Sequence, residues 1–115
     1  GSYLALLSHS GSRGLGAAIA KHYSLLAREV CRLPREAQHF AWLDLNTEEG
    51  QEYWMSMNLA GDYARACHER IHLNLAKALG LKPLANVNNH HNFAWKEEIT
   101  PGRMAIVHRK GATPA

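Results

Sequence analysis

The sequence lacks several features that would place it in a specialised class of protein. No apolar run approaches the roughly 18 to 20 residues that cross a membrane. No basic segment precedes the short apolar run near the start, as a signal peptide would require. The chain has no internal repeat and no low-complexity segment. Its 115 residues suffice for one compact domain and are too few for two.

Cysteine and net charge are also low. The two cysteines, Cys31 and Cys67, form no Cys-x-x-Cys pair, so we interpret them as small buried side chains in a reducing compartment. The net charge of +3 does not by itself indicate a nucleic-acid partner. Histidine, in contrast, is abundant, with eight residues. Because the chain starts without methionine and stops soon after a basic cluster, we expect a fragment of a larger, histidine-rich site.

Hydrophobic patterning predicts the first half of the fold. The apolar run at residues 3–7 predicts a buried strand that enters a glycine-rich loop at residues 9–16. A helix over about residues 15–33 follows and ends before Pro34. Residues 40–45 form a short apolar piece that is a strand or a turn.

The second half begins with a long amphipathic helix. Asn46 or Thr47 is a good N-cap, and apolar residues then recur at steps of three and four until Gly80. A turn is predicted at residues 100–103, within a series of three short strands at residues 84–87, 92–97 and 104–108. This order of elements predicts an α+β (mixed α/β) fold.

The first candidate site is the glycine-rich loop, HSGSRGLG. A strand that runs through such a turn into a helix presents backbone N–H groups and the positive helix end to an anion. Arg13 adds a guanidinium group suited to phosphate. The spacing matches neither a P-loop nor G-x-G-x-x-G. An ordinary strand-to-helix turn explains the glycines equally well, but His9 at the end of a strand favours a site.

The second candidate is the sequence HERIH, which matches the H-E-x-x-H zinc motif on a predicted helix. His68 and His72 share a face and could bind one zinc ion, with Glu69 as general base. Glu97 or Glu98 could supply a third ligand. The alternative interpretation is that both histidines are polar residues at the border of a packed helix face.

Two further candidates lie near the end of the chain. In the sequence NNHHN, His90 and His91 would point to opposite faces of a strand, so only one could join a given site. In the sequence VHRKG, Arg109 and Lys110 at a sheet edge would suit a phosphate or an RNA backbone. A polar loop and a solvated charge cluster are the alternative interpretations.

Taken in order, the segments HSGSRGLG, EGQEYWMSMNLAGDYARACHERI, HHNFAWKEE and VHRKGA resemble the RtcB-type RNA ligases. The resemblance runs from His9 to Ala112, so we interpret residues 1–115 as a single partial domain, the central part of a larger RtcB-like fold. It implies a cytoplasmic enzyme that joins RNA 3′-phosphate or 2′,3′-cyclic phosphate ends to 5′-hydroxyl ends through a histidine–GMP intermediate. The implied partners are GTP, two Mn²⁺ ions and RNA, either tRNA or damaged RNA.

The resemblance also implies roles for individual residues. His9, in the HSGSRG motif, and His91, in the His-Asn motif, match metal-ligand histidines of the family. Imidazole suits Mn²⁺, and rings from separate elements can converge on a metal pair. The positions that match contacts to nucleotide or phosphate are Ser10, Arg13, Asn92, Arg109 and Lys110.

Two motifs of the family are missing from the 115 residues. The guanylylated histidine lies in a CHGAGR-like or SHGAGR-like motif, and the bridging cysteine lies in a DVNCGVR-like motif. We therefore assign no catalytic residue here, reject His108 as the nucleophile, and reject Cys31 and Cys67 as metal ligands. We expect no ligation by these residues alone. The alternatives are a zinc metalloprotease that uses HERIH and a non-catalytic RNA-binding module.

Overall fold

The computed structural model describes residues 1–113 and contains two α-helices, a 3₁₀-helix and a β-hairpin. In chain order the elements are α1 (Arg13–Cys31), the 3₁₀-helix (Arg35–Phe40), α2 (Glu48–Ala78), β1 (Asn92–Thr100) and β2 (Arg103–Lys110). The predicted α+β class is confirmed. None of the described helices has the length and apolarity that a membrane span needs. The chain divides into two compact units, Gly1–His72 and Leu73–Ala115.

The first unit contains α1, the 3₁₀-helix and most of α2. Helix α1 ends at Arg32, which adopts a left-handed conformation (φ 47°) and donates its N–H to the carbonyl of Arg28. Tyr23 of α1 contacts α2 at two points, since its hydroxyl lies 3.3 Å from Ser56 Oγ and its ring lies 5.2 Å from that of Tyr53. The buried apolar side chains are small, and across residues 1–113 they are Ala27, Ala60, Ala64 and Ala76.

The start of α2 is fixed by a tight turn. Of the two predicted N-cap residues, Asn46 and Thr47, it is Thr47 that caps the helix. Its Oγ1 accepts the N–H of Gly50 at 3.2 Å. The same hydroxyl donates to the carbonyl of Asp44 at 2.7 Å. A Cβ at Gly50 would lie 1.9 Å from that carbonyl oxygen, so this position requires glycine. Glu48 and Glu49 place negative charge in the first turn, where the helix dipole favours it.

The end of α2 is a Schellman motif, in the second unit. Gly80 has a φ of 64° and donates its N–H to Lys77, and Leu81 donates its N–H to Ala76 at 2.8 Å. The predicted stop at Gly80 is confirmed. Glycine fits here because a left-handed backbone strains any residue that carries a Cβ.

Two predicted strands are wrong. Residues 3–7 and 84–87 contain no regular secondary structure, and their apolar side chains are exposed, with Leu4 at 88% and Leu84 at 86%. A strand needs a hydrogen-bonded neighbour, and the sheet found within residues 1–113 consists of β1 and β2. Residues 40–45 form the end of the 3₁₀-helix and the approach to a turn.

The hairpin confirms the other two predicted strands and the turn between them. Strands β1 and β2 are antiparallel, and Trp95 is paired with Val107. Pro101 and Gly102 form the turn, and Gly102 has a φ of 77°. The N–H of Gly102 donates to Glu98 Oε1 at 2.6 Å. Side chains alternate across the strands, so Phe93, Trp95 and Val107 share one half-buried face.

Candidate functional site

The segment before α1 is held by two histidines of α2. We call residues 8–12 the His9 loop. Ser8 Oγ lies 2.7 Å from His72 Nε2. The backbone of Ser10 meets His68 Nε2, which lies 2.8 Å from the Ser10 carbonyl oxygen and 3.2 Å from its amide nitrogen. These contacts join residues that are 64 and 58 positions apart in the sequence.

The spacing of the two histidines matches the spacing of the two serines. Residues four apart on an α-helix lie on one face and about 6 Å apart along its axis. Residues two apart in an extended chain are separated by about 6.5 Å. His68 and His72 can therefore contact Ser10 and Ser8 at the same time without distorting the helix.

His9 lies between the two tethered serines. Ser8 and Ser10 are half-buried, whereas His9 is exposed. Exposure therefore alternates along residues 8–10, with His9 the exposed residue between the two tethered serines. The loop therefore presents one histidine to its surroundings and fixes the backbone on both sides of it.

The C-terminal end of the His9 loop leads into α1 through an unusual backbone. Arg13 has a φ of 55°, a left-handed conformation that costs a residue with a Cβ about 1–2 kcal/mol. A Cβ at Gly16 would lie 1.8 Å from Ser12 Oγ and 2.9 Å from Ser12 Cβ, so any other residue there would force Ser12 to shift. Ser10 Oγ is a buried hydroxyl without a hydrogen-bond partner among residues 1–113. Thus contacts within α1 and the His9 loop do not account for the unpartnered hydroxyl of Ser10 or for the left-handed backbone of Arg13.

In the second unit, Arg109 pairs with Glu97 on the half-buried face of the hairpin. The Nη2 atom of Arg109 donates to Glu97 Oε2 at 2.8 Å, and Nη1 donates to Oε1. The guanidinium group lies 5.1 Å from the centre of the Trp95 ring. The hydrogen bond from Arg109 lowers the pKa of Glu97, and the same bond raises the pKa of Arg109. The positive charge of Arg109 is therefore balanced by a carboxylate.

The other predicted residues lie at the open end of the hairpin. Since β1 begins at Asn92, His90 and His91 precede the strand, and the prediction that they point to opposite strand faces does not apply. The His90 ring stacks on Phe93 with centres 4.9 Å apart. The carbonyl of His91 accepts the N–H of Ala112 at 3.1 Å.

Asn92 and Lys110 are paired with each other in the strand register. Asn92 Oδ1 accepts the N–H of Gly111 at 2.8 Å, so this amide closes the open end of the hairpin. The side chain of Lys110 is exposed. Each unit thus collects its own predicted residues: His9, Ser10 and Arg13 in the first, and His91, Asn92, Arg109 and Lys110 in the second.

His68 and His72 have a role that the sequence pattern did not indicate. The zinc interpretation of HERIH is not supported, because both Nε2 atoms contact the His9 loop. Within residues 1–113 no three His, Cys, Asp or Glu side chains form a group that could hold a metal ion. The sequence does contain one signal for these contacts. Two histidines that are four residues apart on a helix have about the same spacing as the two serines on either side of His9.

Comparison with known proteins identifies relatives over nearly the whole chain. The family described as "tRNA-splicing ligase RtcB" matches residues 2–115. Proteins named tRNA-splicing ligase RtcB from Methanococcus maripaludis and Methanocaldococcus jannaschii are 31% and 33% identical, over 96% of this chain and over 26% and 13% of their own lengths. The RNA-splicing ligase RtcB homolog 1 of Entamoeba dispar is 32% identical over 96% of this chain and 23% of its own length.

The chain thus spans about a quarter or less of the curated relatives it matches. No solved structure is significantly similar to it.

Proposed function

Because this chain belongs to the RtcB family, we propose that it carries part of the active site of a cytoplasmic RNA ligase. The observation that carries this proposal is the match over residues 2–115, which includes every predicted site residue. The reaction joins an RNA 3′-phosphate or 2′,3′-cyclic phosphate end to a 5′-hydroxyl end. The substrate is tRNA or damaged RNA.

His9 and His91 fit the role of Mn²⁺ ligands. Each supplies an imidazole nitrogen, a borderline ligand for Mn²⁺, which otherwise favours oxygen ligands, and each has a fixed backbone nearby. His9 is exposed between two tethered serines, and the carbonyl of His91 is bonded to Ala112. When bound, Mn²⁺ would stabilise negative charge on the oxygens of the reacting phosphate. Neither histidine alone completes a metal site, so each would need further ligands.

Four of the five phosphate candidates also fit. Arg13 and Lys110 are exposed cations, and Asn92 is bonded to the turn that follows Lys110. The Ser10 hydroxyl is buried and has no hydrogen-bond partner among residues 1–113. It could donate to a phosphate oxygen if the ligand displaced the atoms that cover it. Arg109 differs, because its guanidinium group is already bonded to Glu97. A phosphate would have to share that group with the carboxylate or displace the carboxylate from it. We therefore assign Arg109 a smaller part in phosphate binding than Arg13 or Lys110.

GTP is the proposed source of the activating group. GMP is transferred first to a histidine and then to the RNA 3′-phosphate, which the 5′-hydroxyl attacks as GMP leaves. The accepting histidine belongs to a motif that is not found in these 115 residues. Accordingly, we expect no transfer of GMP onto this chain when it is incubated alone with GTP and Mn²⁺.

The test uses the protein as its gene encodes it, with GTP, Mn²⁺, an RNA that ends in a 2′,3′-cyclic phosphate and an RNA with a 5′-hydroxyl. We expect a joined product. Replacement His9→Ala or His91→Ala should reduce the rate at least a hundredfold, as expected for loss of a metal ligand in phosphoryl transfer. His22→Ala and His39→Ala are the matched controls, because both histidines are exposed and outside the proposed site.

Three results would contradict parts of the proposal. Ligation that persists in both His9→Ala and His91→Ala would overturn the metal assignments. An absence of ligation, combined with RNA binding that neither replacement changes, would favour the non-catalytic RNA-binding module. Label transfer from GTP onto the isolated chain would overturn the placement of the accepting histidine outside it.

A further inference from the structure

We propose that His68 and His72 are positioning residues that fix the imidazole of His9 for metal binding. This inference rests on the proposed function, since it takes His9 to be a ligand of Mn²⁺. It assigns the HERIH segment a purpose that differs from zinc binding. Neither histidine contacts the metal in this proposal, and both act through the backbone and side chains of the His9 loop.

The first support is the placement of the contacts on both sides of His9. His72 bonds to the residue before it, through Ser8 Oγ, and His68 bonds to the residue after it, through the backbone of Ser10. A single contact would leave the His9 backbone able to rotate about that point. Two contacts, one on each side, restrain the backbone position of His9 and the direction of its Cα–Cβ bond, from which the imidazole extends.

The second support is the chemistry of the contact at Ser10. His68 Nε2 is within hydrogen-bond distance of both backbone groups of Ser10. When Nε2 carries a proton it donates to the carbonyl oxygen, and when it does not it accepts the amide N–H. A bond therefore forms with either tautomer. A side chain that cannot hydrogen-bond would leave both half-buried backbone groups without this partner.

The third support is that the serines occupy a segment that has no sheet partner among residues 1–113. No regular structure is assigned to residues 1–12, and the apolar residues before the loop are exposed. The backbone ladder that usually fixes a ligand at a strand end is thus missing here. Side chains of α2 supply the fixed reference instead. Comparable outer contacts in metal sites typically change affinity by about 10–100-fold.

The main experiment measures Mn²⁺ binding, with the metal alone as the probe, by the electron paramagnetic resonance signal of free Mn²⁺. The variants are His68→Leu and His72→Leu, each compared with the corresponding glutamine variant. Glutamine keeps a terminal amide that donates and accepts at about the reach of Nε2. We expect the leucine variants to bind Mn²⁺ about tenfold more weakly or worse, and the glutamine variants to recover most of that loss.

A matched control lies on the same helix. Glu69 is exposed between the two histidines, so Glu69→Ala should leave Mn²⁺ affinity within twofold of the unsubstituted protein. In the zinc interpretation Glu69 would be the general base and not a ligand, so this replacement controls only for a substitution on the exposed part of α2. Far-ultraviolet circular dichroism at the assay temperature shows which variants are folded, and affinity is compared among those.

A second variant approaches the same contact from the loop. Ser8→Ala removes the partner of His72 and leaves α2 intact. The double variant Ser8→Ala and His72→Leu should lose no more Mn²⁺ affinity than either single variant, because both replacements remove the same hydrogen bond. This double-mutant cycle does not involve His68, so it tests the proposal even if the His68→Leu variant does not fold.

The outcomes are distinct. Leucine variants that bind Mn²⁺ as well as the unsubstituted protein would overturn this inference and leave the proposed function intact. Equal losses in leucine and glutamine variants would also overturn it, because hydrogen bonding would not be the cause. No Mn²⁺ binding by the unsubstituted protein would overturn the metal assignment of His9 together with this inference.

Discussion

The His9 loop and the hairpin carry similar kinds of residue but are held in opposite ways. The loop depends on His68 and His72, which lie 58 and 64 positions away in the chain. The hairpin depends on contacts between strands joined by a two-residue turn, and its ion pair joins residues only 12 positions apart. One region is therefore stabilised by long-range contacts and the other by local ones.

This difference explains which parts of the candidate site can be perturbed separately. A change in α2 can release the loop although it lies far from the loop in sequence. A change in the hairpin affects its own register first, because the pairing of β1 with β2 is continuous from Asn92 to Glu98. The following predictions test this contrast, in order of decreasing effect.

The largest effect should follow from removing both long-range contacts. In the double variant His68→Leu and His72→Leu, the Ser10 amide loses its partner, and losing such bonds costs about 1–3 kcal/mol each. Hydrogen exchange of the Ser10 amide should then be at least tenfold faster, while the hairpin amides should keep their rates. Unchanged exchange at Ser10 would mean that the loop is held by something else.

A smaller effect should follow from disturbing the hairpin turn. Gly102 has a φ of 77°, and alanine in this region costs about 1–2 kcal/mol. Gly102→Ala should therefore speed exchange of the hairpin amides and leave Ser10 unchanged. Gly14→Ala is the control, since nothing lies within 4 Å of the added Cβ and its φ is not in the left-handed region. A change at Ser10 would show that the two regions are coupled.

Loss of the α2 cap should have a local effect of about 1 kcal/mol. Thr47→Ala removes the acceptor of the Gly50 N–H, whereas Thr47→Ser keeps a hydroxyl at this position. Thermal unfolding should show a lower Tm for the alanine variant, with most of the loss recovered by serine. Because His68 lies about six turns further along the helix, exchange of the Ser10 amide should not change.

The smallest effect concerns the acid dependence of the hairpin. Since Arg109 lowers the pKa of Glu97, the ion pair stabilises the folded state above the ordinary pKa of a glutamate, and this contribution is lost as the pH falls through the lowered pKa. Glu97→Gln should flatten the dependence of hairpin stability on pH in this acidic range. The shift should be small, because the side chains of both residues are partly exposed. Glu98→Gln serves as the comparison.

The sequence predicted local structure well. Both long helices, the Thr47 cap, the Gly80 stop and the two hairpin strands depend on residues close together in the chain, and each was confirmed within about three residues. The false strands at residues 3–7 and 84–87 have the opposite cause. An apolar run indicates burial, but strand formation also requires a partner strand, which the run itself does not specify.

The candidate site was predicted only in part. Motif resemblance selected His9 and Arg13, and the family match supports the resemblance. The contacts of His68 and His72 with the His9 loop could not be derived from helical periodicity, which marks them as border residues and does not identify what they touch. The pairing of Arg109 with Glu97 required the strand register, because it joins positions on opposite strands.

The strand pleat divides the basic sequence HRKG into two separate electrostatic surfaces. Consecutive residues of β2 point to opposite sides, so Arg109 lies with Trp95 and Glu97, while His108 and Lys110 lie on the other side with Lys96. An anion that approached one side would meet the ammonium groups of Lys96 and Lys110, and one that approached the other would meet the ion pair of Arg109 with Glu97. The hairpin is therefore asymmetric toward a polyanion, although its sequence reads as one continuous run of basic residues.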